Sequence, residues 1–320
     1  MTDQQHNDVI DGSTVDSIAV YVCTHKRNGP LERMLDSLQE AANHVQPAVR
    51  IAVVVVDDNP DGRAKAVVDG FSHQFVGGLH YRFSGAQNIS LARNAGLEAA
   101  MGLADWVAMT DDDQVVIPEW FDHLIATQQA TNADAVTGPV ILRYDDNKPG
   151  WVDSQPFEEI MIAPIQPDQI KVEVCSTGNS MMRASFLREH PEIRFRPDLG
   201  RLGGEDMVFY RAAVSAGLHA RYSAQAIAYG EQPPERATYR YHLRTSYWLG
   251  NTEYLTNIES GDASPRRLAL RASRRLVGAV SRPLLRLVRR QEPQWRFTGA
   301  LAAQSMGMLV GVAGVKVEHT

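Results

Sequence analysis

The chain has 320 residues, is 44% hydrophobic and carries a formal net charge of −6, a profile that suits a soluble globular protein of one large domain or two small ones. Nine of its 32 basic residues are arginines between positions 266 and 290, where no acid occurs, which leaves 23 basic against 38 acidic residues elsewhere. An acidic body with a basic tail argues against a nucleic-acid partner, which calls for a basic patch on the folded domain. Cys23 and Cys175 are too few for a disulfide framework or a zinc site and read as small buried apolar residues.

Residues 1–16 are polar and lack the apolar core of a signal peptide, so a flexible arm and a cytoplasmic body are expected. Ser17 to Cys23 is a β-branched apolar run that ends in the polar segment Thr24-His-Lys-Arg-Asn28. Pro30 then opens a helical pattern, with Leu31, Met34, Leu35 and Leu38 at helical spacing. Arg50 to Val56 is a continuous apolar run, as expected of a parallel strand covered on both faces, and it ends in Asp57-Asp58-Asn59-Pro60. Leu79 to Phe83 predicts a third strand and Ser90 to Met101 a helix.

Trp106 to Met109 predicts a buried strand that empties, after Thr110, into three consecutive carboxylates, Asp111, Asp112 and Asp113. Adjacent acids repel one another, and hard divalent cations such as Mn²⁺ and Mg²⁺ are their usual partners. A solvated acidic turn is the alternative. Strands alternating with helices predict a mostly parallel sheet, and open sheets of this kind bind ligands beyond the carboxyl ends of their strands. Glycine-rich fingerprints of dinucleotide-binding and P-loop proteins do not occur. Further along, Val136 to Leu142 predicts another strand, Arg143 to Pro167 a loop-rich segment, and Gly203-Gly-Glu-Asp206 a turn leading into a helix.

Five segments occur in a fixed order: Thr24 after the first strand, Val56-Asp57-Asp58-Asn59 after the second, Ala92-Arg93-Asn94-Ala-Gly96, Asp111-Asp-Asp113, and Gly204-Glu205-Asp206. Together they resemble the GT-A glycosyltransferases of family 2, over residues 18 to about 250. Later segments, Thr177 to Arg183, Leu202 to Arg211 and Glu231 to Arg244, resemble the succinoglycan-type, ExoM-like bacterial β-glycosyltransferases. The resemblance implies an α/β fold of the GT-A type, a mostly parallel Rossmann-like sheet flanked by helices. The catalytic domain would occupy residues 17–241, and a helical extension residues 242–320.

By the same resemblance, the activity is inverting transfer of a sugar from a nucleotide-diphosphate donor, UDP-sugar favoured, to a saccharide or lipid-linked glycan. Thr24, Asp57 and Asp58 would receive the base, although Asp57-Asp-Asn-Pro also suits a turn or helix cap. Arg93 would touch the nucleotide, its planar fork suiting phosphate; a surface ion pair is the alternative. Asp111, Asp112 and Asp113 would complete the donor site, with a divalent cation, Mn²⁺ or Mg²⁺, held by Asp113 and Asp111. Asp206 matches the base position, with Glu205 beside it, and both also suit a helix cap. Trp151, Gly178, Asn179 and Arg236 are acceptor-site candidates, with core packing or a strand-entry turn as alternatives. The chain lacks a His near Glu231 and a Q-x-x-R-W motif, which favours addition of a single sugar. A nucleotidyltransferase would need a glycine-rich basic loop after the first strand, which is missing here. A non-catalytic carbohydrate-binding protein would not need the intact acids.

In the tail, Arg267, Arg271, Arg274, Arg282, Arg286 and Arg289 recur at helical steps. Ala272, Leu276, Val280, Leu284, Leu287 and Val288 fall largely on another face, with Pro283 expected to kink the helix. This pattern predicts peripheral contact with an anionic membrane, or answers the acidic body from within the chain. Phe297 to Val315 is uncharged, but its glycines make a poor membrane span. Interfacial insertion, or pairing of two chains through Gly307-x-x-x-Gly311, is expected instead.

Overall fold

Three apolar strands at the centre are covered on both faces, and that coverage sets the layering of the whole molecule. The computed structural model describes residues 15–45 and 49–318. Its first half alternates β1 (Ser17–Thr24), α1 (Asn28–His44), β2 (Arg50–Asp57), α2 (Lys65–Gly70), β3 (Leu79–Phe83), α3 (Ile89–Met101) and β4 (Trp106–Thr110). There follow β5 (Gln114–Val116), α4 (Trp120–Thr131), β6 (Ala135–Thr137), β7 (Val140–Tyr144), α5 (Glu158–Met161), β8 (Lys171–Val172), β9 (Asn179–Arg183) and α6 (Ala184–Glu189). The chain ends with α7 (Glu205–Ser215), β10 (Ala220–Tyr222), β11 (Ala228–Gln232), α8 (Tyr239–Glu259), α9 (Pro265–Val288) and α10 (Trp295–Val312).

The main sheet has the order β3-β2-β1-β4-β9-β6-β10-β8, and its first four strands are parallel. Side chains of β2 alternate between two cores. Val53 and Val55 pack on α1, where Leu31, Met34 and Leu38 are buried, and Val54 and Val56 pack on α3 with Ala92 and Leu97. β9 enters antiparallel between β4 and β6, and a smaller sheet, β5-β11-β7, stands beside the carboxyl edge. This is the mixed α/β, mostly parallel arrangement that the strand-helix alternation predicts.

The single strand expected over Val136 to Leu142 is instead two, β6 and β7, in different sheets. Gly138 and Pro139 divide them. A Cβ on Gly138 would lie 2.1 Å from the Ala226 carbonyl oxygen, and proline has no N–H for a ladder. The arm expected over 1–16 lies outside the described residues except for Val15 and Asp16. Val15 is buried, and the Asp16 carbonyl accepts from the Arg50 N–H at 3.0 Å, so order already begins before β1.

The C-terminal helices depart most from the sequence reading. α8 starts before the expected boundary at 241 and runs through it. α10 packs along α8 through glycines: a Cβ on Gly307 would meet the Tyr247 carbonyl oxygen at 1.8 Å, and one on Gly250 the Gln304 carbonyl oxygen at 1.8 Å. Gly311 likewise lies against Tyr254. The small-residue face expected to enter a membrane or pair two chains is therefore consumed inside this chain. Among the described residues, no helix is long and apolar enough to cross a membrane. α9 is one helix through Pro283 but divides the expected apolar face: Ala272 is buried, whereas Val280, Leu284, Leu287 and Val288 are exposed.

Candidate active site

Because β1, β2 and β4 are parallel neighbours, Thr24, Asp57 and the acids after Thr110 reach one edge of the sheet. The Thr24 hydroxyl donates to Asp112 Oδ2 at 2.7 Å. Arg27, just beyond β1, donates to Asp112 Oδ1 at 2.9 Å and to Asp113 Oδ2 at 3.0 Å. Arg236, from the short 3₁₀ turn Pro234–Ala237, also reaches Asp113 Oδ2, at 2.9 Å. Asp113 is thus held by two guanidinium groups from segments far apart in the chain. Burial pushes the Asp112 carboxyl up to about 6, against the opposing pull of Arg27. Burial also raises Asp111, with Arg93 lowering it and Asp113 and Asp206 adding to the rise.

Asp57 and Asp58 serve the loops around them. Asp57 accepts from the N–H groups of Asn59 (3.0 Å) and Ala64 (2.9 Å) and from the Tyr81 hydroxyl (3.1 Å). Asp58 accepts from the Ser84 hydroxyl (2.9 Å) and from the N–H groups of Ala86 (3.0 Å) and Asn88 (2.7 Å). Both carboxylates are buried and fix the turns after β2 and β3. Asn88 in turn caps α3, accepting from the Leu91 N–H at 3.2 Å, and so fixes the start of the helix whose second turn carries Arg93.

Arg93 is not a surface ion pair. It is buried, donates to Glu205 Oε1 and reaches Asp111 Oδ1 at 3.5 Å, with its guanidinium over the Phe195 ring. One side chain therefore joins the strand-edge acids to the Gly-Gly-Glu-Asp turn. That turn has a local cause. Gly203 and Gly204 have φ of 84° and 81°, a left-handed backbone that glycine adopts without strain. A Cβ on Gly203 would sit 2.2 Å from Trp248, and one on Gly204 2.3 Å from the Thr256 methyl, both on α8. Trp248 Nε1 and the Thr252 hydroxyl donate to the Leu202 carbonyl at 2.8 and 3.0 Å, which fastens the turn to α8. Glu205 and Asp206 then open α7, where a helix N-terminus favours carboxylates. Asp206 accepts from the Met207 N–H at 2.8 Å. Burial raises the Glu205 carboxyl, Arg93 opposes it, and Asp206 raises it further; Glu205 Oε2 is buried without a hydrogen bond.

Beside Asp113 opens a cavity of about 840 Å³ lined by Arg27, Arg33, Arg143, Tyr144, Glu231 and Arg236, among others. Glu231 accepts from Arg33 Nε at 2.7 Å and from Arg143 at 3.3 Å. Of the acceptor candidates, Arg236 lines this cavity, and Gly178 lies against Asp111, whose Oδ2 a Cβ there would approach to 3.0 Å. Asn179 is fully buried: its Nδ2 donates to the Pro139 and Ala226 carbonyls, and its Oδ1 accepts from Trp120 Nε1. Trp151 packs edge-on against Phe157, Tyr239 and His242, under Arg296 from α10. Both side chains take part in packing, Asn179 wholly buried and Trp151 half-buried. The motifs in the sequence assign no role to Arg27 or Glu231; the one local signal for Arg27 is a basic residue three positions beyond Thr24 at a strand end.

Among the described residues, no three His, Cys, Asp or Glu side chains form a group that could hold a metal ion. Asp111 and Asp113 supply hard oxygen donors, although Asp113 Oδ2 already faces two arginines. The pair fits a cation that takes the rest of its shell from water and phosphate oxygens.

The chain matches the family described as Glycosyl transferase family 2 over residues 19–190. It is 32% identical over 240 residues to the succinoglycan biosynthesis protein ExoM of Rhizobium meliloti (strain 1021), covering 73% of each chain. In fold it is similar to S. aureus TarS 1–349 in complex with UDP-GlcNAc, with a TM-score of 0.54, 12% identity and coverage of 93% of this chain and 92% of that one. Against a longer TarS chain the TM-score is 0.53 and the identity 17%, and the match spans 39% of that chain's length. With the GT-A-type layering and the ordered acidic motifs in place, this chain belongs to glycosyl transferase family 2 and is a glycosyltransferase.

Proposed function

We propose that the enzyme transfers a sugar from a nucleoside-diphosphate donor, with UDP-sugars favoured, to a hydroxyl of a saccharide or lipid-linked glycan, by one inverting displacement. The observation that carries this reading is the shared guanidinium of Arg93, which holds Asp111 and the Glu205-Asp206 turn in one site. Support for the donor class comes from TarS, whose structures are described in complex with UDP and with UDP-GlcNAc. ExoM is described as a succinoglycan biosynthesis protein, which supports a glycan acceptor. A cytoplasmic location is part of the same proposal.

The loops fixed by Asp57 and Asp58 would receive the nucleoside, with Thr24 and Arg93 beside it. Asp111 and Asp113 would hold a divalent cation, Mn²⁺ or Mg²⁺, which supplies neutralisation of charge on the leaving diphosphate. Arg27 and Arg236, already at Asp113, bring two further positive charges to the same place. The acceptor would enter by the cavity lined by Tyr144 and Arg236. Asp206 would take the proton of the acceptor hydroxyl as that oxygen bonds to the anomeric carbon and the bond to the diphosphate oxygen breaks. An α-linked donor then gives a β-glycoside.

Incubation with a panel of nucleotide sugars, followed by release of nucleoside diphosphate, tests the donor class. Release from a UDP-sugar, lost on addition of EDTA and restored by Mn²⁺, is the expected result. Full turnover in excess chelator would remove the cation from the reading, and release from none of the donors, with or without glycan, would overturn it.

A further inference from the structure

α9 is apolar on two opposite faces, and only one is covered. Leu268, Ala272, Ala279 and Pro283 are buried, the first two in a cluster with Met308 of α10. The opposite stripe, Leu270, Val277, Val280, Leu284, Leu287 and Val288, is 49% to 82% exposed. Positions 270, 277 and 284 are seven apart, 280 falls between the last two, and 287 and 288 follow, so these side chains form one ridge along the helix. A ridge of this length is larger than the scattered exposed apolar residues of ordinary surfaces, and it marks a contact.

The charges on the same helix say what kind of surface it meets. No acid occurs between Asp262 and Glu292. Arg271 and Arg275 pair with Glu253, Arg282 lies over the Phe297 ring, and Arg286 donates to the Glu292 carbonyl. Arg266, Arg267, Arg274, Arg289 and Arg290 are exposed and make no ion pair among the described residues. Helical spacing puts Arg267 and Arg274 alongside the ridge and Arg266 at its start. A second copy docked on the same face would cover the ridge but bring no carboxylate from its own α9 to the free guanidinium groups, since that helix carries no acid. An anionic surface meets both demands: it takes the apolar ridge and pairs the free guanidinium groups. Trp295, also exposed seven residues after the ridge, suits a lipid-water interface.

We infer that the outward face of α9 is a docking surface for an anionic lipid bilayer, with the Leu270–Val288 ridge among the acyl chains and the unpaired arginines at the phosphate groups. The contact is peripheral, along one helix, and leaves α8 and α10 packed as they are.

The test uses the full chain, because removing the tail would strip α10 from α8. Co-sedimentation is measured with vesicles of phosphatidylcholine alone and of phosphatidylcholine containing phosphatidylglycerol. The chain should bind the second, in a manner weakened by salt, and bind the first far less. Arg267→Ser and Arg274→Ser should each weaken that binding by roughly fivefold. Val277→Asp with Leu284→Asp should abolish it while leaving the thermal midpoint unchanged, since both side chains are solvent-exposed. Absence of binding to either vesicle, or binding unaffected by the aspartates, would overturn the inference. A concentration-dependent dimer that the aspartates dissolve would equally overturn it, by giving the ridge to a second copy.

Discussion

On one side of the site, Thr24, Asp57 and Asp111 stand at or just past the ends of parallel strands, where the sheet alone brings them together. On the other, Asp206 stands on a turn whose two glycines are pressed against Trp248 and Thr256 of α8. The first side belongs to the β-α-β frame. The second is built by a helix that lies almost wholly in the expected C-terminal extension. The site therefore has a rigid half and a dependent half, joined by Arg93 between Asp111 and Glu205. The C-terminal helix α8 is part of the scaffold of this turn, beside the Arg93–Glu205 contact and the packing of Phe209 and Tyr210 of α7 into the core.

The sharpest way to separate the halves is Asp206→Asn, which keeps shape and removes the proposed base. Turnover should fall by ~10²–10⁴-fold with donor binding little changed. A fall of less than threefold, measured as kcat on the best donor, would move the base to Glu205 or elsewhere. Gly203→Ala attacks the dependent half indirectly, since its Cβ must displace Trp248 at a backbone angle that disfavours alanine. A misplaced turn should cost roughly 10²-fold in kcat, again with donor affinity preserved. Equal loss of donor affinity in isothermal titration would show that the two halves do not separate.

Arg93→Ala breaks the joint and leaves Glu205 buried without its partner. Stability to urea should drop by about 3–5 kcal/mol, and Glu205→Ala in the same chain should recover part of it. Additive losses would mean the pair does not couple the halves.

The smallest expected effect tests how the tail meets the body. His242 is buried, stacked on Phe157 at 3.9 Å, with neither ring nitrogen hydrogen-bonded, and burial lowers its pKa from 6.5 to about 4. The unfolded chain takes up this proton below about pH 6.5 and the folded chain only near pH 4, so its contribution to stability is lost as pH falls through that window. His242→Phe should lack this loss, and the gap between the two proteins should widen by about 2 kcal/mol from pH 7 to pH 5. Parallel urea midpoints at the two pH values would decide it, and an unchanged gap would show that His242 is hydrated in the fold.

The sequence by itself determined the frame and the strand-edge acids. Arg50 to Val56 is apolar at every position but the first, and only a strand covered on both faces tolerates that run. The acids after it and after Met109 could only fall at the carboxyl edge, because parallel strands share a direction. What those acids touch was decided by tertiary structure. Asp57 and Asp58 are spent on the N–H groups of Asn59, Ala64, Ala86 and Asn88 around their own loops, and Asp113 meets Arg27 and Arg236 from segments far apart in the chain. The tail shows the same division. Its helical periodicity was legible, but an arginine-rich helix with apolar residues on two faces does not say which face is buried. α10 decides that, by placing Met308 against Leu268 and Ala272 and leaving Val277 and Leu284 outside. Local period and composition fix which elements form, whereas partners distant in the chain are chosen by packing, and no single segment carries that information.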